Sequence, residues 1–155
     1  MNAYRLKPVR FPWPPFLYAV AIVAAFALGH LVRLPLPGRS VLILVGGLVL
    51  MAGMLLDLSA LKTLITAKTT VMPHKAASHL ITTGPYRITR NPIYVGYTLS
   101  TVGIGLILGN PWFVVAAIAA ALVTDIVVVR REEMHLLARF GIKYESYCRQ
   151  TRRWI

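Results

Sequence analysis

The stretch Thr82-Thr83-Gly84-Pro85-Tyr86-Arg87-Ile88-Thr89-Arg90-Asn91-Pro92-Ile93-Tyr94-Val95-Gly96 runs from a cationic, proline-punctuated segment straight into an apolar run. Proline suits the first turn of a helix, where its missing N–H has no intrahelical partner to lose. Pro92 therefore predicts a helix over about 92–109 whose free N–H groups open toward residues 87–94. That predicted helix fixes the fold class, because the runs on either side of it are also apolar and long.

Hydrophobic residues make up 57% of the 155, charged residues only 14%, and the mean hydropathy is +0.64. An ordinary soluble domain of this length is less apolar. A helix needs roughly 20 apolar residues to cross a hydrocarbon core, and further runs over about 16–34, 41–64 and 112–129 meet or approach that length. The expected architecture is all-α and polytopic: one domain over residues 1–155, four membrane spans, a polar loop and a C-terminal helical extension. The run at 16–34 is too long for a signal-peptide core and has no small-residue cleavage site, so it is expected to remain as a span.

Before it, Arg5, Lys7, Arg10 and the segment Phe11-Pro12-Trp13-Pro14-Pro15 suit the headgroup interface. Ser40 is the expected N-cap of the second span. Gly46, Gly47, Ala52 and Gly53 suit close helix approach in lipid. Residues 66–91 form the longest connection, anchored by Val71, Met72, Leu80, Ile81 and Tyr86. The turn Gly109-Asn110-Pro111-Trp112 joins the last two spans. The final span is expected to continue as one helix to about Phe140, where Gly141 stops it.

Seventeen Lys and Arg against five Asp and Glu give a net charge of +12. These cations lie outside the apolar runs or at their ends, as expected for loops facing anionic lipid, and no nucleic-acid partner is expected. Fifteen fall on the side shared by the N-terminus, the long loop and the C-terminus, and two on the other. The positive-inside rule puts that richer side in the cytosol, an arrangement expected for a bacterial inner membrane. The single cysteine, Cys148, excludes an internal disulfide and a thiolate metal site, and no metal is expected.

Three polar features thereby share one membrane face: Gly84–Tyr94, the pair Glu132-Glu133, and the basic-aromatic segment from Phe140 to Arg149. Asp125 and Glu132 are seven apart, so on a regular helix they share a face, with Glu133 rotated by about 100°. Asp125 lies inside the last span and Asp57 near the exit of the second, positions where a carboxylate is a functional candidate. The plainer assignments are structural: Glu133 with Arg130, Glu132 with His135, Asp125 with a neighbouring hydroxyl, Asp57 with a nearby cation. Gly96 and Gly103 share a face that either packs a helix or admits a ligand. Carboxylates, arginines and tyrosines without a metal set or a nucleophilic triad suit a polar zwitterionic or nucleotide-like molecule. Group transfer there needs mainly orientation and desolvation.

Thr83-Gly84-Pro85-Tyr86-Arg87, Arg90-Asn91-Pro92-Ile93-Tyr94-Val95-Gly96, Gly103-Ile104-Gly105, Arg131-Glu132-Glu133, Phe140-Gly141-x-x-Tyr144-x-x-Tyr147 and Arg152-Arg153-Trp154 together resemble the integral membrane methyltransferase family. That family includes isoprenylcysteine carboxyl methyltransferase and the phospholipid N-methyltransferases. The resemblance covers about residues 66–155. It implies S-adenosylmethionine as cofactor, with Gly103, Gly105, Glu132 and Glu133 as its two binding motifs and Tyr86, Arg87, Arg90, Asn91, Pro92 and Tyr94 lining the same pocket. It also implies a membrane-embedded, lipophilic methyl acceptor. From the placement of the residues themselves, Asp57 and Tyr97 are expected toward that acceptor, and Arg90, Asp125 and Glu132 are the catalytic candidates. Asn91 stands where the carboxyl-methylating branch usually has histidine, which favours a phospholipid amine-like or other small lipid over an isoprenylcysteine-type carboxyl or thiol. Competing readings are a nicotinamide-dependent relative of the sterol reductases, whose longer C-terminal pattern is absent here, and a non-catalytic lipid-binding scaffold.

Overall fold

A computed structural model describes residues 14–67 and 79–155. The expected N-terminal interfacial segment and the anchors Val71 and Met72 therefore lie essentially outside the described residues. In order, the elements are α1 (Pro14–Leu31), α2 (Arg39–Thr66), a 3-10 turn (Gly84–Arg87), α3 (Pro92–Leu108), α4 (Trp112–Thr124), a π-helical segment (Asp125–Val129), α5 (Arg130–Phe140) and α6 (Ile142–Gln150). Among the described residues the one piece of extended pairing is a parallel bridge between Thr89 and Arg152.

Three helices are long and apolar enough to cross a bilayer: Pro14–Leu31, Arg39–Thr66 and the continuous 29-residue Trp112–Phe140. Their outer faces carry exposed Val23, Leu44, Leu55, Leu58, Ile118 and Leu122. Such continuous apolar surface is at home in lipid rather than water, and the protein is an integral membrane protein. The fourth apolar helix, α3, has 17 residues and packs within the same bundle.

The helix ends follow local chemistry. Pro92 opens α3 behind Asn91, and Gly109 closes it at φ 67°. Gly141, also at positive φ, ends α5 and lets α6 turn away. Ser40 lies inside α2, whose N-cap is the left-handed Gly38, so the expected serine cap is corrected by two residues. Glycine takes that backbone conformation without a Cβ clash, and this moves the start of the helix forward.

Small residues set the packing. A Cβ on Gly46 would stand 2.8 Å from Gly103 O, one on Gly103 would stand 2.6 Å from Leu50 N, and one on Gly53 would stand 2.8 Å from Gly96 O. Higher numbers on α2 therefore oppose lower numbers on α3, and the two run antiparallel in backbone contact. Dispersion over such a contact, not water exclusion, drives helix pairing in lipid. On the other side, Phe26 of α1 meets Phe113 of α4 edge to face at 4.9 Å. The α3–α4 turn is tied to α1 through Asn110 Nδ2 to Ala25 O (3.2 Å) and Trp112 Nε1 to Val32 O (2.9 Å). This end of the bundle carries the short turns. The opposite end carries residues 79–91, α5, α6 and the C-terminal segment.

Candidate functional site

Asn91 and Thr89 are buried where the chain turns into α3. Buried backbone must be hydrogen-bonded, and here the C-terminal segment supplies the partners. Arg90 N–H donates to Arg152 O (2.9 Å), while Thr89 Oγ1 (3.1 Å) and Asn91 Nδ2 (2.9 Å) donate to Arg153 O. Tyr147 of α6 donates its hydroxyl to Tyr86 O at 2.6 Å, and Thr151 Oγ1 reaches Arg87 O at 3.4 Å. The last turn of the chain is thus laid along residues 86–91 as a second wall.

Above that wall stand the carboxylates of the last long helix. Arg153 grips Glu133 with both prongs, Nε to Oε1 at 3.0 Å and Nη2 to Oε2 at 2.6 Å. Paired N–H donors on one carboxylate are the strong form of this contact, and they hold the Arg153 guanidinium above its ordinary pKa. Arg90 Nη2 approaches the same Glu133 at 3.0 Å. The other end of the Arg153 guanidinium lies 3.4 Å from Asp125 Oδ2, Arg130 Nε lies 3.7 Å from that oxygen, and Trp154 Nε1 donates to Asp125 Oδ1 at 2.9 Å.

Glu132 points elsewhere. Its Oε1 accepts the Tyr94 hydroxyl at 2.9 Å. Glu132 lies beyond Val129, where the apolar run of this helix ends and Arg130-Arg131 begin its polar part. Burial, with help from the Glu133 charge, pushes its carboxyl up to about 7 despite the opposing Tyr94 hydrogen bond. Burial also pushes the Tyr86 phenol above the ordinary tyrosine range, so it stays a neutral donor.

The plain pairings expected for the acids do not form. Glu133 takes Arg90 and Arg153 rather than Arg130, Glu132 takes Tyr94 rather than His135, and Asp125 takes guanidinium and indole groups. The π-helical segment is the reason. Arg130 N–H reaches back five residues to Asp125 O, so one extra residue is taken up in that turn and everything beyond it rotates by about 100°. The partner of Asp125 on one face is therefore Glu133, not Glu132 as a regular helix predicts.

Arg90, Asn91, Pro92, Tyr94, Asp125, Glu132 and Glu133 come together, with Tyr86 and Arg87 on the adjoining turn. Gly103 and Gly105 do not join them. Gly103 lies against Gly46 and Leu50 of α2, and Gly105 against Phe113 of α4 and Asn110 O, some 16 Å or more along α3 from Pro92 at 1.5 Å per residue. Gly96 likewise packs on α2, under the Asp57 carboxyl. Among the described residues Asp57 has no ion pair, and its Oδ1 and Ser100 Oγ are buried without hydrogen bonds. Tyr97 stacks edge-on to Tyr18 at 5.5 Å, and Tyr18 shares a 2.7 Å hydrogen bond with Thr98. These groups form a second polar patch inside the bundle, about a turn further along α3 than Tyr94, whose carbonyl accepts from Thr98 Oγ1 at 2.8 Å.

Sequence reasoning assigned no role to Arg153, Trp154 or Tyr147. The available signal was stoichiometric: with five acids in the chain, the densest basic-aromatic run, Arg152-Arg153-Trp154, was the natural counterpart of the acidic pair. Among the described residues no group of three or more His, Cys, Asp or Glu side chains is arranged to hold a metal ion.

Comparison with known proteins places these features. Over 78 residues the chain is 35% identical to the nickel-cobalt-cadmium resistance protein NccN of Alcaligenes xylosoxydans xylosoxydans. The matched stretch is 50% of this chain and 36% of that relative, so the two share only a portion of the longer protein. No solved structure matches the chain. Residues 41–143 match the phospholipid methyltransferase family. They take in α2, α3, the helix from Trp112 to Phe140 and both carboxylates of the acidic pair, so the chain belongs to the phospholipid methyltransferase family.

Proposed function

We propose that the protein transfers a methyl group from S-adenosylmethionine to a lipophilic acceptor reached from the bilayer. A phospholipid amine-like or other small lipid is favoured over an isoprenylcysteine-type acceptor. The single observation that carries the reading is the meeting of Tyr94–Glu132 with Arg90–Glu133–Arg153 at one end of a lipid-facing bundle.

The donor set suits that cofactor. Glu132 has an oxygen with no hydrogen bond among the described residues, ready for an ammonium or ribose hydroxyl. Among the described residues the buried Arg90 Nε also has no hydrogen bond, an orphan donor suited to a carboxylate. Tyr86, Arg87, Asn91 and Pro92 complete the wall. S-adenosylmethionine, when bound, supplies an electrophilic methyl group on a sulfonium. The chain itself holds donor and acceptor in line, excludes water, and takes one proton from the acceptor. Glu132 suits the proton: its pKa of about 7 is near the optimum for general base work at neutral pH. Asp57 and Tyr97, in the patch within the bundle, are proposed to face the acceptor's path.

In this reading α3 is the fourth span, both termini and the site are cytosolic, and the membrane is a bacterial inner membrane. The direct test is binding by purified protein, followed by transfer of a radiolabelled methyl group into membrane lipid and protein fractions. Binding of S-adenosylmethionine and not NADPH, with label in lipid, is the expected outcome. Binding of neither moves the assignment to a lipid-binding scaffold, and label in a carboxyl or thiol ester moves it to the isoprenylcysteine-type branch.

A further inference from the structure

We propose that Glu132 and Glu133, adjacent in sequence, have separate work: Glu132 meets the ligand, whereas Glu133 is a positioning residue that, with Arg153 and Asp125, fastens the C-terminal segment over the site. The inference deepens the methyl-transfer reading and rests on it for the ligand's identity. Two guanidiniums, Arg90 and Arg153, occupy Glu133 at 2.6–3.0 Å. Both oxygens of Asp125 are engaged, one by the Trp154 indole and the other by Arg153 and Arg130. Among the described residues Glu132 keeps one oxygen without a hydrogen bond, the other accepting from Tyr94.

The fastening runs through the backbone as well. Arg153 O accepts from Thr89 and Asn91, and Arg152 O from the Arg90 amide. Arg153 thus holds the start of α3 through its carbonyl and the last long helix through its guanidinium. The π-helical segment sets the register: it turns Asp125 and Glu133 to one face, where a single planar guanidinium spans both, and leaves Glu132 turned toward Tyr94. Lysine, a point charge, satisfies one carboxylate at a time and does not replace that bridge.

The test uses the full chain in detergent or nanodiscs, with two readouts. One is hydrogen exchange at the Arg90 amide, which bonds Arg152 O, and the other is S-adenosylmethionine affinity by calorimetry. Glu133→Gln and Arg153→Gln are each expected to speed Arg90 exchange by about tenfold or more, as for loss of a hydrogen bond to a charged group. Arg153→Lys should give an intermediate rate. Glu132→Gln should weaken S-adenosylmethionine binding about tenfold or more with Arg90 exchange unchanged. The Glu133→Gln and Arg153→Gln effects on affinity should be non-additive with each other and additive with Glu132→Gln, a coupling that general destabilisation does not produce. Unchanged exchange in the Glu133 and Arg153 variants overturns the fastening. Weakened affinity in Glu133→Gln with unchanged exchange makes Glu133 a direct ligand contact and overturns the division of work. If wild-type protein binds no S-adenosylmethionine, the methyl-transfer reading and the ligand role of Glu132 fail, while the exchange measurements still decide the fastening.

Discussion

Gly103→Ala separates two meanings of the Gly103-Ile104-Gly105 motif. In the structure a Cβ at Gly103 would stand 2.6 Å from Leu50 N and 2.8 Å from both Gly46 O and Leu50 Cα. Each of these is backbone, so no side chain can swing aside. Ordinary contact begins at 3.4 Å, so α2 and α3 must separate locally by about 0.6–0.8 Å. Overpacking of this kind costs about 1–3 kcal/mol, because separating the helices also forfeits dispersion along the seam. At about 2–4 °C per kcal/mol for a chain of this size, the melting temperature in detergent should fall by about 2–12 °C. Affinity for S-adenosylmethionine should stay within about twofold, since the site lies at the opposite end of α3. Gly47, where an added Cβ meets nothing within 4 Å, is the matched control. Gly47→Ala should leave the melting temperature unchanged or slightly raised, as a helix-propensity gain implies. The measurements are differential scanning fluorimetry and calorimetry on the three proteins. An unchanged melting temperature with lost cofactor affinity in Gly103→Ala would refute the packing account and return this glycine to the ligand.

Glu132 gives a pH prediction with a definite sign. Its folded pKa is raised from 4.5 to about 7, so the folded state favours the protonated form. Its contribution is therefore fully present below about pH 4.5 and is lost as pH rises through about 7. Wild-type stability should decline across that window, and Glu132→Gln should flatten the decline in a melting-temperature series. Tyr94→Phe removes the hydrogen bond that lowers the Glu132 pKa; the midpoint should move to higher pH, as read by infrared titration of the carboxyl. Removing Trp154 and Ile155 strips the indole from Asp125, and should raise trypsin cleavage after Arg149 in folded protein. For topology, an impermeant maleimide should label Ser40→Cys, exposed in the first turn of α2, on intact cells. Native Cys148 should react only after permeabilisation, and the reverse pattern would invert the proposed orientation.

The bundle was legible in the sequence because lipid imposes a one-dimensional rule: apolar length decides crossing. Pro92 and Gly109 marked the ends of α3 for the same reason, since each restricts backbone geometry locally. Ser40 misled because capping preference competes with left-handed glycine geometry, and Gly38 two residues earlier won. The meeting of Glu132 with Tyr94 across 38 residues was reachable only coarsely. Charge counting brought the two segments to one face but did not say which acid met which partner.

That last choice depends on backbone hydrogen bonding, which side-chain spacing does not encode. Asp125-Ile126-Val127-Val128-Val129 is a run of β-branched residues after one acid. Such residues crowd the preceding turn and weaken helix propensity. Nothing in their spacing says whether the turn closes on the fourth residue or the fifth. Closing on the fifth rotates the next eleven residues together, exchanging the faces of Glu132 and Glu133 in one step. Among the described residues one acid becomes the anchor for two arginines and the other meets a single tyrosine. A π-helical turn between the apolar and acidic parts of a helix thus decides which of two adjacent acids meets the arginines and which meets the tyrosine.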